Sequence, residues 1–283
     1  MGYIPSRSVK DQFDLKDRVC IITGGSGFLG RQFAEALGEM GAIPVLFDVA
    51  ELMLAEAQAQ VRAFCQRCET EVVDVTNETS LRKAVNAVLG RHQRIDVLIN
   101  NAALTRYSGE ADPEAFFAPF EKNDGGVWNA GLKVNLTGVM LCCKIVGPIM
   151  VAQGKGSIVN MGSDVGVVSP DQRIYEPDPA ADYPGMPFNT PIFYSVSKAG
   201  VIHLTKHIAA LWAKHGVRVN CISPAGVYRD HDPAFVQKLT SRIPIGRMAQ
   251  VNEYKGAIVF LASDASSFLV GHNLVMDGGR TIW

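Results

Sequence analysis

The stretch Arg18-Val19-Cys20-Ile21-Ile22-Thr23-Gly24-Gly25-Ser26-Gly27-Phe28-Leu29-Gly30 runs from a short apolar segment into a turn rich in glycine. The apolar segment suits a parallel strand covered on both faces. A helical pattern follows over residues 31–40, with Phe33, Ala34, Leu37 and Met40 on one side. Ile43-Pro44-Val45-Leu46-Phe47 then reads as a second strand and ends at Asp48. Strand, glycine turn, helix, strand and terminal acid is the order of a dinucleotide-binding unit. Glycines let the backbone approach a pyrophosphate closely, and the first N–H groups of the helix are free to receive it. An acid at Asp48 accepts hydrogen bonds from ribose hydroxyls and repels a 2′-phosphate, so NAD is expected rather than NADP.

The alternation continues along the chain. Residues 49–64 and 79–92 read as helices, the second with Leu81, Val85 and Val88 at helical spacing. Residues 70–73 and 95–99 read as strands, followed by Asp74-Val75-Thr76 and by Asn100-Asn101-Ala102-Ala103. Residues 104–126 are expected to be loop and short helix, and residues 127–153 one long helix. Further strands are expected at 157–161, 218–223 and from 273, with helices at 194–214, 230–249 and 254–262. Alternating strands and helices predict an α/β, Rossmann-like, doubly wound fold: a mostly parallel seven-stranded sheet with helices on both faces. No repeat or low-complexity linker interrupts the pattern. Residues 1–283 are therefore expected to form a single domain, with 1–17 as a loose arm.

Composition narrows the partners. The chain has 283 residues, 47% hydrophobic and 19% charged, with a net charge of −1. Such a balance argues against nucleic acid or an anionic membrane as the main partner. No run of eighteen or more apolar residues occurs, so no membrane-spanning helix is expected. Residues 1–17 are polar and carry no signal-peptide core, which points to a cytoplasmic location and reduced thiols. Cys65-Gln66-Arg67-Cys68 is a lone C-x-x-C pair with no second pair or histidine cluster beside it, so no metal site is expected.

Chemistry concentrates at Tyr194-Ser195-Val196-Ser197-Lys198. On a helix, residues four apart project from one face, which brings a phenol beside an ammonium. The positive charge is expected to lower the tyrosine pKa and fit Tyr194 for proton exchange with an alcohol.

These motifs, with Asn135, Ser163, Ser223-Pro224 and Asp277-Gly278-Gly279, resemble the short-chain dehydrogenase/reductase family in its single-domain form. The likeness runs from about residue 16 to residue 279. It implies hydride exchange between a nicotinamide cofactor and a small-molecule alcohol or ketone. In that family pattern Tyr194 is the acid/base, Lys198 tunes it and binds the nicotinamide ribose, Ser163 holds the substrate oxygen, and Asn135 holds a water leading from Lys198 to solvent. Gly24, Ser26, Gly27, Phe28 and Leu29 lie along the pyrophosphate. Asp48 lies on the adenine ribose, and Asp74 and Val75 lie around adenine. Asn101, Ala102 and Ala103 line the cofactor cleft, with Pro224 and Val227 at the nicotinamide end. The resemblance also implies a homo-oligomer, a dimer or tetramer built on helices 127–153 and 194–214 and the last strand.

Three departures from the family pattern stand out. The glycines are spaced Gly24-x-x-Gly27-x-x-Gly30, as in the extended members that act as sugar-nucleotide epimerases and dehydratases. Ser163 and Tyr194 are separated by a long segment, 164–192, rich in proline, acids and aromatics. Ala225 and Arg229 replace a usual glycine and threonine after the sixth strand. The inserted segment reads as a substrate loop, its acids (Asp164, Asp171, Glu176, Asp178, Asp182) accepting hydroxyls and its rings (Tyr175, Tyr183, Phe188) covering C–H faces, or alternatively as a solvated lid or an oligomer contact. Arg173, Tyr175 and Arg229 are the candidate substrate residues. Parts of this loop and of residues 241–248 are similar to oxidoreductases of bacterial surface-sugar and flagellin-glycan synthesis. An alcohol/ketone oxidoreductase of sugars or polyols is the leading expectation. An NAD-retaining epimerase or dehydratase and a non-catalytic NAD-binding module are the alternatives.

Overall fold

β1 (Val19–Thr23) is buried along its whole length and pairs in parallel with β2 (Ile43–Asp48) on one side and β4 (Val97–Asn100) on the other. The structure, a computed structural model, describes residues 8–105, 113–179, 185 and 189–283. With β3 (Glu69–Val72), β5 (Gly156–Met161), β6 (Val217–Pro224) and β7 (Asn273–Met276), the sheet has seven strands in the order β3-β2-β1-β4-β5-β6-β7. Every pairing is parallel. The strand order reverses between β1 and β4, so the connections leave to opposite faces and open a crevice at the strands' C-terminal ends.

Each face of the sheet has its own core. Val19 and Ile21, Val45 and Phe47, and Ile158 point to one side. There they meet α4 (Glu78–His92), α7 (Val139–Gln153) and α8 (Ile192–Trp212) through Leu81, Val85, Val146 and Val201. Cys20 and Ile22, Leu46 and Val159 point to the other side. They meet α2 (Phe28–Glu39), α3 (Glu51–Arg62) and α10 (Lys255–Ala262) through Phe33, Leu37, Val61 and Ile258. Strand alternation thus explains why the apolar runs are continuous: both faces are buried.

Two expectations are corrected. Residues 1–17 are not a loose arm throughout: α1 (Val9–Phe13) is a helix capped by Ser8, Phe13 packs on Phe260, and Leu15 is fully buried. The long helix starts earlier, at α6 (Gly125–Leu132), because the Asp124 carboxylate caps the N–H groups of Gly126 and Val127. A π-helical turn, Lys133–Gly138, joins it to α7. Between β4 and α6 lie the short helix α5 (Pro113–Phe116) and a 3-10 turn, Phe120–Lys122. α9 (Pro233–Thr240), started by an Asp232 cap and Pro233, is the helix in the 230–249 region. Gly125–Gln153 is long and apolar enough to cross a membrane by length and composition, and 56% of its apolar window is buried inside the fold. All six cysteines are buried free thiols. Burial pushes those of Cys68 and Cys143 up to about 12.

Gly30 shows how tightly the glycine turn is built. A Cβ there would lie 2.2 Å from the backbone oxygen of Gly24, an atom that cannot swing aside. Gly30→Ala is expected to cost about 2 kcal/mol or more of stability, in the range of overpacked positions. Gly90→Ala, with open space around it, is expected to stabilise its helix slightly. Thermal melting of the two variants checks both.

Candidate active site

The glycine turn, Asp48, the 73–76 segment, the 101–105 segment, Ser163 and the turn after β6 all follow strand C-termini, so the sheet gathers them at one edge. There they line a cleft of ≈ 920 Å³. Gly24, Ser26, Gly27, Phe28, Leu29, Asp48, Asp74, Val75, Asn101, Ala102, Ala103, Pro224 and Val227 all face it, as do Ser163 and Tyr194. Lys198 and Asn135 sit behind the wall, buried at 3% and 0% exposure.

The cofactor end is shaped by backbone. Gly24 has φ of +61°, and a Cβ on it would stand 2.8 Å from Ala102 Cα. Only glycine allows the two turns to approach this closely. Thr23, which sequence reading passed over, fixes the approach: its Oγ1 accepts the N–H groups of Asn101 and Ala102, each at 3.1 Å. The Asn101 amide returns a bond to Gly24 O at 2.9 Å. Gly27 begins α2 without a side-chain cap, which leaves helix N–H groups open to an anion. Asp48 is held at the end of β2 by Ser26 Oγ at 2.6 Å and by the N–H groups of Ser26 and Ala50. A glycine cradle, an uncapped helix start and a carboxylate at the next strand end together fit a nicotinamide dinucleotide.

At the other end, α8 places Tyr194 and Lys198 on its first two turns. Their arrangement differs from the expected phenol beside a pKa-lowering ammonium. Lys198 Nζ lies 5.7 Å from the Tyr194 ring centroid and donates to Met161 O at 2.7 Å. Burial dominates both groups. It pushes Tyr194 up to about 12, against the opposing effect of a Ser163 hydrogen bond and with the nearby Asp164 charge adding to it. It pulls Lys198 down to about 8. Asn135 lies in the π-helical turn, where a local register shift turns its amide onto the chain after β4. Its Oδ1 accepts Leu104 N–H at 2.6 Å and its Nδ2 donates to Leu104 O at 3.2 Å.

The described part of the inserted segment carries local structure. It holds 3-10 turns at Asp164–Gly166 and Gln172–Tyr175. Tyr175 stacks on Phe235 of α9 at 5.7 Å and lines the cleft. Asp171 is taken up by Arg173 and Arg242, and Asp164 by Ser163 and Arg280. These two acids are therefore engaged by the protein's own cations. Asp182, Tyr183 and Phe188 lie outside the described residues. Arg173 is exposed and paired with Asp171, and it does not line the cleft, contrary to its candidacy for substrate. Arg229 lines the cleft too, and its guanidinium carbon sits 3.9 Å from the Phe28 ring centroid, over the glycine turn. The arginine that departs from the family pattern after β6 thus lies against a ring of the glycine loop. Tyr254, another residue whose role sequence reading missed, donates within 3.2–3.3 Å of Ala225 O and Met276 O and steadies that turn.

Comparison with known proteins agrees with this geometry. Residues 18–175 match the family described as short chain dehydrogenase, and residues 184–281 match the one described as Enoyl-(Acyl carrier protein) reductase. The chain belongs to the short-chain dehydrogenase/reductase family and is an oxidoreductase acting on CH–OH groups. Over 280 residues it is 33% identical to a D-threitol dehydrogenase of Mycolicibacterium smegmatis, covering 97% of each chain. A gluconate 5-dehydrogenase from Burkholderia cenocepacia, in complex with NADP and tartrate, superposes with a TM-score of 0.82 at 31% identity, covering 98% of this chain and 100% of that one. An NAD+-bound xylitol dehydrogenase superposes with a TM-score of 0.81 at 29% identity, covering 94% and 99%.

Lys198 offers a test of the electrostatics. Its folded pKa lies below the ordinary 10.5, so the unfolded chain holds an extra proton between about pH 8 and 10.5. The cost of burying the ammonium is complete below about pH 8 and fades as pH rises to 10.5. Lys198→Met is expected to melt higher than wild type at pH 7, by about 1–3 kcal/mol for a shift of this size, and to show no gain near pH 10.5. Melting curves across that range check the sign.

Proposed function

We propose that this chain is an NAD(H)-dependent oxidoreductase that interconverts an alcohol and a ketone on a sugar or polyol-like substrate. The observation that carries the reading is the meeting of Ser163, Tyr194 and buried Lys198 at one end of a cleft whose other end is Asp48. The names of the relatives, with threitol, gluconate and xylitol among their substrates, support the substrate class. The bound nicotinamide supplies the site that gives or takes hydride. In the oxidative direction Tyr194, as phenolate, takes the hydroxyl proton while Ser163 holds the same oxygen. Lys198 supplies positive charge behind the phenol, and Asn135 keeps the 104 segment in place beside it. The 164–192 segment forms the substrate wall of a single catalytic domain, through Ile174, Tyr175 and Thr190.

NAD is the preferred form in this reading. Asp48 is pinned where a 2′-phosphate would meet its charge, and like charges at close range cost several-fold in affinity or more. Asp48→Asn is expected to leave NAD turnover within about threefold and raise kcat/KM with NADP by about tenfold or more. Comparable NADP turnover by the wild type would sink the preference.

Absorbance of reduced nicotinamide across a panel of tetritols, pentitols and aldonates tests the substrate class. Tyr194→Phe is expected to abolish the signal. Because Tyr194 sits near pKa 12, oxidation in the wild type is expected to rise by up to ~10-fold per pH unit from about pH 6 upward. A flat profile would remove Tyr194 from the proton path.

A homo-oligomer is also proposed. Phe268, Ile282 and Trp283 are exposed near β7, which is an open sheet edge. Light scattering is expected to give a dimer or tetramer and a smaller species for Phe268→Asp; a wild-type monomer would overturn the proposal.

A further inference from the structure

Arg229 stands on the segment that follows β6, and its side chain reaches the glycine turn that follows β1. In the sheet those two strands are separated by β4 and β5. Three inter-strand steps amount to about 14 Å, so the Arg229 side chain crosses the crevice at the strand ends. The backbone that carries it is tied down on both sides. Val227 bridges to Ala249, Tyr228 N–H donates to Ala249 O at 2.9 Å, and Ala249 N–H donates to Gly226 O at 3.2 Å. His231 Nδ1 accepts the Arg229 N–H at 3.1 Å. The guanidinium ends over the ring of Phe28, the first residue of α2. Both residues line the cleft together with Gly24, Ser26 and Leu29.

Asp48 marks one end of this cleft and Tyr194 the other. The middle of a dinucleotide is its pyrophosphate, which carries two negative charges. The start of α2 answers with about half a positive charge. A cation–π contact holds a guanidinium through its charge and leaves its five N–H donors for other partners. A planar guanidinium can meet a phosphate with two parallel N–H bonds, which an ammonium cannot do. We infer that Arg229, supported on the Phe28 ring, binds the cofactor's pyrophosphate from the exposed rim of the cleft. It thereby supplies a full positive charge where the family pattern usually has a neutral threonine hydroxyl. The inference rests on a dinucleotide occupying this cleft. It depends neither on the NAD preference nor on the sugar.

The test measures dissociation constants of ADP-ribose and adenosine by titration calorimetry and by competition against NADH fluorescence. ADP-ribose carries the pyrophosphate and adenosine does not, and neither ligand can be turned over. Arg229→Thr and Arg229→Ala are each expected to weaken ADP-ribose by about tenfold or more and to leave adenosine within about twofold, the scale of one hydrogen bond to a charged group. Arg229→Lys keeps the charge without the planar fork and is expected to recover part of the affinity. Phe28→Leu is expected to weaken ADP-ribose, and to add nothing in an Arg229→Ala background. Wild-type ADP-ribose binding is expected to fall more steeply with salt than binding by Arg229→Thr. Unchanged ADP-ribose binding in Arg229→Thr would overturn the inference. Equal loss of ADP-ribose and adenosine would also overturn it, by making Arg229 a support of the turn alone. Wild-type protein that binds no ADP-ribose would sink the dinucleotide reading together with this one. Comparable NADP turnover or silence on every polyol, with the selective ADP-ribose loss intact, would overturn the cofactor preference or the sugar reading and leave this one standing.

Discussion

Thr23 Oγ1 accepts two backbone N–H groups from the turn after β4, and Gly24 lets that turn come within contact of the turn after β1. The cleft depends on this approach. β1 is central, with β2 and β4 on either side, and the chain departs from the strand ends in opposite directions. A side chain at Gly24 would force the two turns apart at the place where a dinucleotide must cross the sheet edge. The N-terminus of α2 adds open N–H groups to the same floor, and Asp48 closes one end. Backbone geometry therefore sets the cofactor side, and side-chain chemistry varies around it.

The reactive end obeys a different constraint. A buried phenol and a buried ammonium each resist the charged form, which is why Tyr194 rises and Lys198 falls while a lysine lies one helical turn away. Spacing alone suggests mutual stabilisation, but burial outweighs it, since Lys198 turns its ammonium to Met161 O. The cost of keeping Lys198 dry is the kind of local instability that active sites tolerate for function. Asn135 and its π-helical turn belong to the same economy of position: a buried amide satisfied by both polar groups of Leu104 holds the wall from behind.

Unusual residues of this chain occur in pairs. Arg229, where the family pattern usually has a threonine, lays its guanidinium over the ring of Phe28 in the glycine turn. Asp164 and Arg280 likewise meet across the sheet edge beside Ser163. Among the described residues of this wall, Asp164 and Asp171 each meet an arginine of the protein, and Arg229 rests on an aromatic ring.

The sequence by itself determined the strand and helix order, the parallel two-faced sheet, the glycine turn, Asp48 and the placing of Tyr194 and Lys198 on one helix. These are periodic or local features: continuous apolar runs, i and i+4 spacing, and glycines at strand ends. The tertiary structure alone decided which acids are already paired, that Arg173 lies outside the cleft lining, that Arg229 rests on Phe28, and that Thr23 and Tyr254 brace the turns. It also decided that residues 8–15 dock on the body through Phe13 and Leu15. Asp164 and Arg280 lie 116 positions apart, and no local pattern relates them. Their contact exists because β5 and β7 end at the same edge of one sheet, and a carboxylate buried there required a cation that only the folded chain could bring.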